Sequence, residues 1–162
     1  MLEMTIKALA VDPSSNAHFV ILEDLAKERA LPICIGHSEA QAIFTKMEDV
    51  PVPRPMTHDL IKNILEGIQA TVSRIVINDM EDNTFFAVIL LSIDGNEVSI
   101  DSRPSDAIAL ALRVDAPIYV AKKVLDKTRT IDLSASELED DIEKWKEWLE
   151  DVRPEDFGKY EM

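Results

Sequence analysis

The chain has 162 residues, 46% of them hydrophobic and 30% charged, and a formal net charge of −14. That length suits one compact domain with a substantial core, and the composition is ordinary for a globular protein. No apolar run reaches the roughly 20 residues needed to cross a bilayer, the opening MLEMTIKALAVD lacks a signal peptide's basic region and cleavage site, and a lone Cys34 excludes an intrachain disulfide or cysteine-rich zinc site.

A cytoplasmic protein without a membrane partner is therefore expected, with Cys34 as a small core residue. Residues 132–162 hold 12 Asp/Glu against 4 Lys/Arg, which places −8 of the charge in that segment and leaves −6 on the rest. A tight nucleic-acid binder normally presents a basic face. The cluster Lys122, Lys123, Lys127 and Arg129 is the nearest approach to one.

In chain order, Ile6 to Val11 and His18 to Leu22 read as a hairpin joined by Asp12-Pro13-Ser14-Ser15-Asn16. Leu31 to Ile35 is a third strand despite Pro32, and Gly36 breaks it. A helix then starts near Ser38 with an apolar stripe of Ala40, Ile43, Phe44 and Met47. Pro51, Pro53 and Pro55 make Asp49 to Thr57 an extended strap. Thr57 is the expected N-cap of the next helix, whose apolar face is Leu60, Ile61, Ile64, Leu65 and Ile68, with His58 and Asp59 exposed in its first turn.

Strands follow at Val72 to Ile77, Phe85 to Ser92 and Glu97 to Ile100, with turns at Asn83 and Asp94-Gly95. A helix begins at Pro104, a short strand covers Ile118 to Val120, and Val124-Leu125 belong to a small helix. Two matches share one offset: KALAVD with RIVIND, and SEAQAI with SDAIAL, each 67 residues apart. The expected fold is thus α+β, with two pseudo-repeated βββα units in a mixed, largely antiparallel sheet or barrel-like body flanked by helices. Residues 1–131 form the domain, and 132–162 an acidic amphipathic C-terminal helix and tail. The latter has capping boxes at Ser134/Glu137 or Ser136/Glu139 and a seam of Leu138, Ile142, Trp145, Leu149 and Val152. This seam fits packing on the domain or, through Trp145 and Trp148, on a partner subunit of a homo-oligomer, most simply a dimer.

The richest chemistry lies in EVSIDSRPSDAIALALR, Glu97 to Arg113. Here a strand runs into a helix almost without polar surface, and Asp101, Arg103, Ser105 and Asp106 stand at the junction. Pro104 suits the first helical position. Ser105 and Asp106 also suit plain capping, with Arg103 paired to Asp101.

IDSRPSDAIALALR followed by APIYV, with LPICIGHSEAQAI and PRPMTHDL upstream, resembles the bifunctional nuclease domain family from about Ile6 to Leu125. The ending from Pro154 to Tyr160 resembles that of short bacterial members. The resemblance implies cleavage of RNA and DNA. His-Glu-x-x-His and Gly-rich phosphate loops are absent from the sequence, so phosphodiester chemistry would fall to carboxylates. Asp101 and Asp106 are the candidate bases or ligands of a divalent metal ion, magnesium or manganese. Arg103 is the candidate phosphate clamp, with Ser105 assisting through its hydroxyl. His37, Glu39, His58, Asp59 and Asp79 are secondary candidates, a two-histidine mechanism requiring His37 to meet His58. The acidic surface implies weak binding of single-stranded DNA and RNA. A non-enzymatic protein-binding module and a small-molecule or anion sensor are the alternatives: a carboxylate-lined cleft favours the nuclease, an exposed tail seam the module, and a closed pocket holding Arg103 the sensor.

Overall fold

A computed structural model describes residues 1–132 and 157–158. Two antiparallel meanders are built alike: β1 (Leu2–Val11), β2 (His18–Asp24) and β3 (Arg29–Ile35), then β4 (Thr71–Glu81), β5 (Thr84–Ile93) and β6 (Asn96–Ser102). Each ends in a helix, α1 (His37–Met47) after the first and α3 (Pro104–Val114) after the second. Between them lies α2 (Thr57–Gly67), and β7 (Ile118–Val120), α4 (Lys122–Lys127) and β8 (Ile131–Asp132) follow. The predicted offset of 67 relates β3 to β6 and α1 to α3 at both ends of each element.

All eight strands form one sheet in the order β6-β5-β4-β7-β1-β2-β3-β8. β7 joins the meanders by pairing parallel to β4 and antiparallel to β1. Every other pairing is antiparallel. The sheet is open, with β6 and β8 as its edges, so the expectation of a sheet holds and a barrel does not form. Pro32 is accommodated because β8 pairs only with Arg29 and Ala30, leaving no neighbour to require an N–H from Pro32 on that side. Tight turns at Asp82-Asn83 and Asp94-Gly95 carry positive φ at both central residues, the geometry that matches strand twist.

Alternation sorts the strands onto two faces. Ile75, Ile77, Ala87, Ile118 and Val120 share one core with Val20, Leu22, Leu31 and Ile33, beneath Ala40 and Ile43 of α1 and Ala107, Ile108 and Ala111 of α3. The small side chains of α3 let it pack on α1, α2, β4 and β5 at once. On the opposite face Phe19, Ile21 and Ala30 form a smaller cluster with Phe157, whose ring meets Phe19 edge-on at 6.4 Å. The expected C-terminal helix, with Trp145 and Trp148, lies outside the described residues.

Candidate functional site

The starts of α1 and α3 converge, and their pseudo-equivalent acids meet on one arginine. Glu39 and Asp106 are each the third residue of their helix. Arg103, at the N-cap of α3, places Nη1 3.1 Å from Glu39 Oε1 and donates Nε–H to Asp106 Oδ2 at 2.7 Å. Its Nη2 also donates to Asp106 Oδ1 at 3.2 Å, completing a two-pronged contact. Asp101 takes no part in this pairing. It sits opposite Val88 on β6, in register with Val76 on the face away from α3.

His58 supplies the remaining partner, its Nε2 lying 3.0 Å from Asp106 Oδ1. It was expected to be exposed and is 8% exposed, because α2 packs its first turn onto α3. The hydrogen bond from His58, helped by Arg103, outweighs burial and holds the Asp106 carboxyl at about 2, below the usual 3.8. Asp106 is therefore ionised at neutral pH and offsets the charge of Arg103. Arg103 is correspondingly locked in its charged form, first by its bonds to Asp106.

A second arginine fixes the three helices around this cluster. Arg113, buried, donates Nε–H to Asp59 Oδ1 at 2.7 Å, Nη1–H to the Ala109 carbonyl at 2.8 Å and Nη2–H to the Ala42 carbonyl at 3.0 Å. Ala42 and Ala109 are again 67 residues apart. Asp59 also accepts the Met56 N–H at 2.9 Å. Burial alone would raise the Asp59 pKa, but Met56 and Arg113 outweigh it and hold the carboxyl low. Met56, rather than the expected Thr57, is the N-cap of α2.

Glu39, His58, Arg103, Asp106, Met56 and Val52 line a cleft of about 590 Å³. Arg113 lines it as well, so two arginines and two carboxylates, Glu39 and Asp106, face the same cleft. With Nε2–H donating to Asp106, the lone pair of a neutral His58 resides on Nδ1, the atom able to take up a proton. Asp106 orients that ring through this contact, an acid–base arrangement known from hydrolytic sites.

Other sequence candidates are placed elsewhere. Ser105 is buried and lines a separate cavity of about 90 Å³ beside Cys34 and Gly158. α3 has no side-chain cap, since both Asp106 oxygens go to His58 and Arg103, so the plain-cap reading of that residue does not hold. Asp79 accepts from Lys123 at 2.5 Å and Lys127 at 3.1 Å on α4, which pull its carboxyl far below the usual range and neutralise part of the basic cluster. His37 meets His18, not His58, with Nδ1 3.2 Å from Nε2. Among the described residues no group of three or more His, Cys, Asp or Glu is placed to hold a metal ion. Asp101 and Asp106, the expected ligand pair, belong to different faces, so these two residues do not fit a shared metal. No sequence signal marked His58 as the partner of Asp106, because the contact spans 48 residues and two helices.

The profile of the Bifunctional nuclease domain matches residues 20–132. An uncharacterized protein of Mycobacterium tuberculosis is 34% identical, with 96% of this chain and 97% of that protein covered. Bifunctional nuclease 1 of Oryza sativa subsp. indica is 25% identical over 73% of this chain and 37% of its own length. Bifunctional nuclease 1 of Arabidopsis thaliana is 32% identical over 57% and 29% respectively. The chain thus corresponds to about a third of the plant proteins. No described helix is long and apolar enough to cross a membrane.

Proposed function

The chain belongs to the bifunctional nuclease domain family, and from that premise we propose that it hydrolyses phosphodiester bonds in RNA and single-stranded DNA at the Arg103–Asp106–His58 cleft. The observation that carries this reading is one carboxylate shared by an imidazole and a guanidinium at the mouth of a cleft. Arg103 binds non-bridging phosphate oxygens, exchanging its Glu39 contact for the substrate. His58 Nδ1 removes a proton from water as the water oxygen adds to phosphorus. The bond from phosphorus to the leaving sugar oxygen breaks, and the proton held on His58 passes to that oxygen through water in the cleft, returning the imidazole to its neutral form. Asp106 is a positioning residue, holding the imidazole tautomer and balancing its charge. Arg103 offsets the charge that accumulates on the phosphoryl oxygens.

Substrate binding is weak and salt-sensitive in this reading, because Lys123 and Lys127 are already paired with Asp79 and the chain is acidic. The test is cleavage of circular single-stranded DNA and a matched RNA by the full chain in magnesium, manganese or chelator. Arg103→Ala is run beside it. Cutting by the wild type that the variant loses supports the reading. Cutting by both places the chemistry elsewhere, and no cutting in any condition turns the cleft into a binding site for anions.

A further inference from the structure

α2 carries apolar side chains on two sides, one turned to the body and one turned outward. Four-residue spacing puts Met56, Leu60, Ile64 and Ile68 on one stripe, and they are 54%, 53%, 53% and 57% exposed. Toward the body the helix turns His58, which is buried, and Asp59, Ile61, Lys62 and Leu65, which are half-buried. The side-chain hydrogen bonds to α3 are made by His58 with Asp106 and by Asp59 with Arg113. A second apolar surface, uncovered by the described body, therefore faces outward. Half-exposed side chains of this size sum to about 400 Å², the scale at which a patch marks an interaction site. It is close to half of the ~800 Å² that each partner contributes to a standard interface.

We propose that this stripe is the contact surface of a homodimer, with α2 of two copies packed antiparallel about a two-fold axis at Ile64. Such an isologous interface must be its own complement. Numbering about Ile64 sets Leu60 of one copy against Ile68 of the other, apolar on apolar. Two chains of net charge −14 repel each other across most of their surfaces, yet the exposed residues of the stripe and its flanks, including Thr57, Asn63 and Gly67, carry no charge. Glu66 points away from it, 3.7 Å from Lys62. Gly67 would meet nothing within 4 Å if it carried a Cβ, so the second helix can approach closely at that end.

Two other occupants fit less well. A helix lying in a membrane surface is rich in Lys and Arg on its polar side, whereas α2 has Lys62 against Asp59 and Glu66. The free edge of β6 also exposes Val98 and Ile100. Pairing β6 with itself about Ser99 would set Glu97 of one copy against Asp101 of the other, like charge on like. Met56 lines the cleft as well as the stripe, so the proposed dimer brings the second copy to the mouth of the candidate site.

The experiment is light scattering after size exclusion of the full chain across micromolar concentrations, with Ile64→Glu and Leu60→Lys as separate variants and circular dichroism to verify folding. The expected result is twice the chain mass for the wild type and a single chain for each folded variant. A variant that fails to fold is replaced by the other, and the wild-type mass decides in any case. A monomeric wild type, with or without flotation on neutral or anionic vesicles, overturns the proposal, as does a dimer that survives both substitutions.

Discussion

Glu39 and Asp106, 67 residues apart and each third in its helix, close on opposite sides of the Arg103 guanidinium at 3.1 and 2.7 Å. The repeat in the fold thus produces a paired acidic site, and the single arginine at the second helix start bridges it. Removing that cation leaves two carboxylates facing one another.

Arg103→Gln should therefore lower stability at neutral pH. Asp106 has its carboxyl held at about 2 rather than 3.8, first by His58 and then by Arg103. A depressed carboxyl contributes stability that is fully present above the unfolded value and is lost as pH falls through the folded one. Full conversion of that shift is about 2 kcal/mol, but Arg103 is only part of its cause and solvent screens the half-exposed guanidinium. A loss of about 1 kcal/mol is expected. In urea titrations the difference between wild type and variant should be constant above pH 5 and shrink between pH 4 and 2.

Arg113 should matter more for folding. Its three donors satisfy Asp59 and carbonyls on α1 and α3 inside the packed helix layer. Arg113→Met removes them and strands the Asp59 charge in a partly buried position. Breaking a buried pair in this one-sided way costs about 3–5 kcal/mol. Denaturant midpoints at pH 7 measure it. Arg113→Lys should recover only part of the loss, since an ammonium cannot span all three acceptors.

Gly158 lies against Cys34 of β3. Its φ is +133°, and a Cβ would stand 3.1 Å from the Cys34 carbonyl. Gly158→Ala is expected to cost roughly 1–3 kcal/mol through backbone strain and to loosen Phe157 from Phe19. Cys34 reports on this directly, because burial pushes its thiol up to about 11 and keeps the reactive thiolate scarce. Alkylation by iodoacetamide at pH 8 should be slow in the wild type and faster in the variant.

Local patterns in the sequence carry much of the fold. The strand alternations, the Asp94-Gly95 turn and Pro104 at a helix start all act over a few residues, and each element appears where those signals place it. The offset of 67 carries longer-range information, since it aligns Glu39 with Asp106. What stayed hidden depended on packing direction. The apolar face of α2 implies burial against something, but periodicity alone does not say whether that is the chain's own core, and here His58 faces inward while Ile64 faces out. Asp101 and Asp106 are five residues apart, yet the strand-to-helix junction sends them to different faces. Asp79 finds Lys123 and Lys127 only because β4 runs beside α4. A two-residue strand such as β8 has no period of its own to detect.

The central claim is that His58, oriented by Asp106, is the proton acceptor. The most direct test is the single-turnover rate of single-stranded RNA and DNA cleavage by His58→Asn against wild type, with substrate affinity and thermal stability measured on the same samples. Asparagine keeps a hydrogen bond to Asp106 within reach but cannot take up a proton. The account predicts a rate lower by about 100-fold or more with affinity nearly unchanged. A folded His58→Asn protein that cuts as fast as the wild type would contradict it.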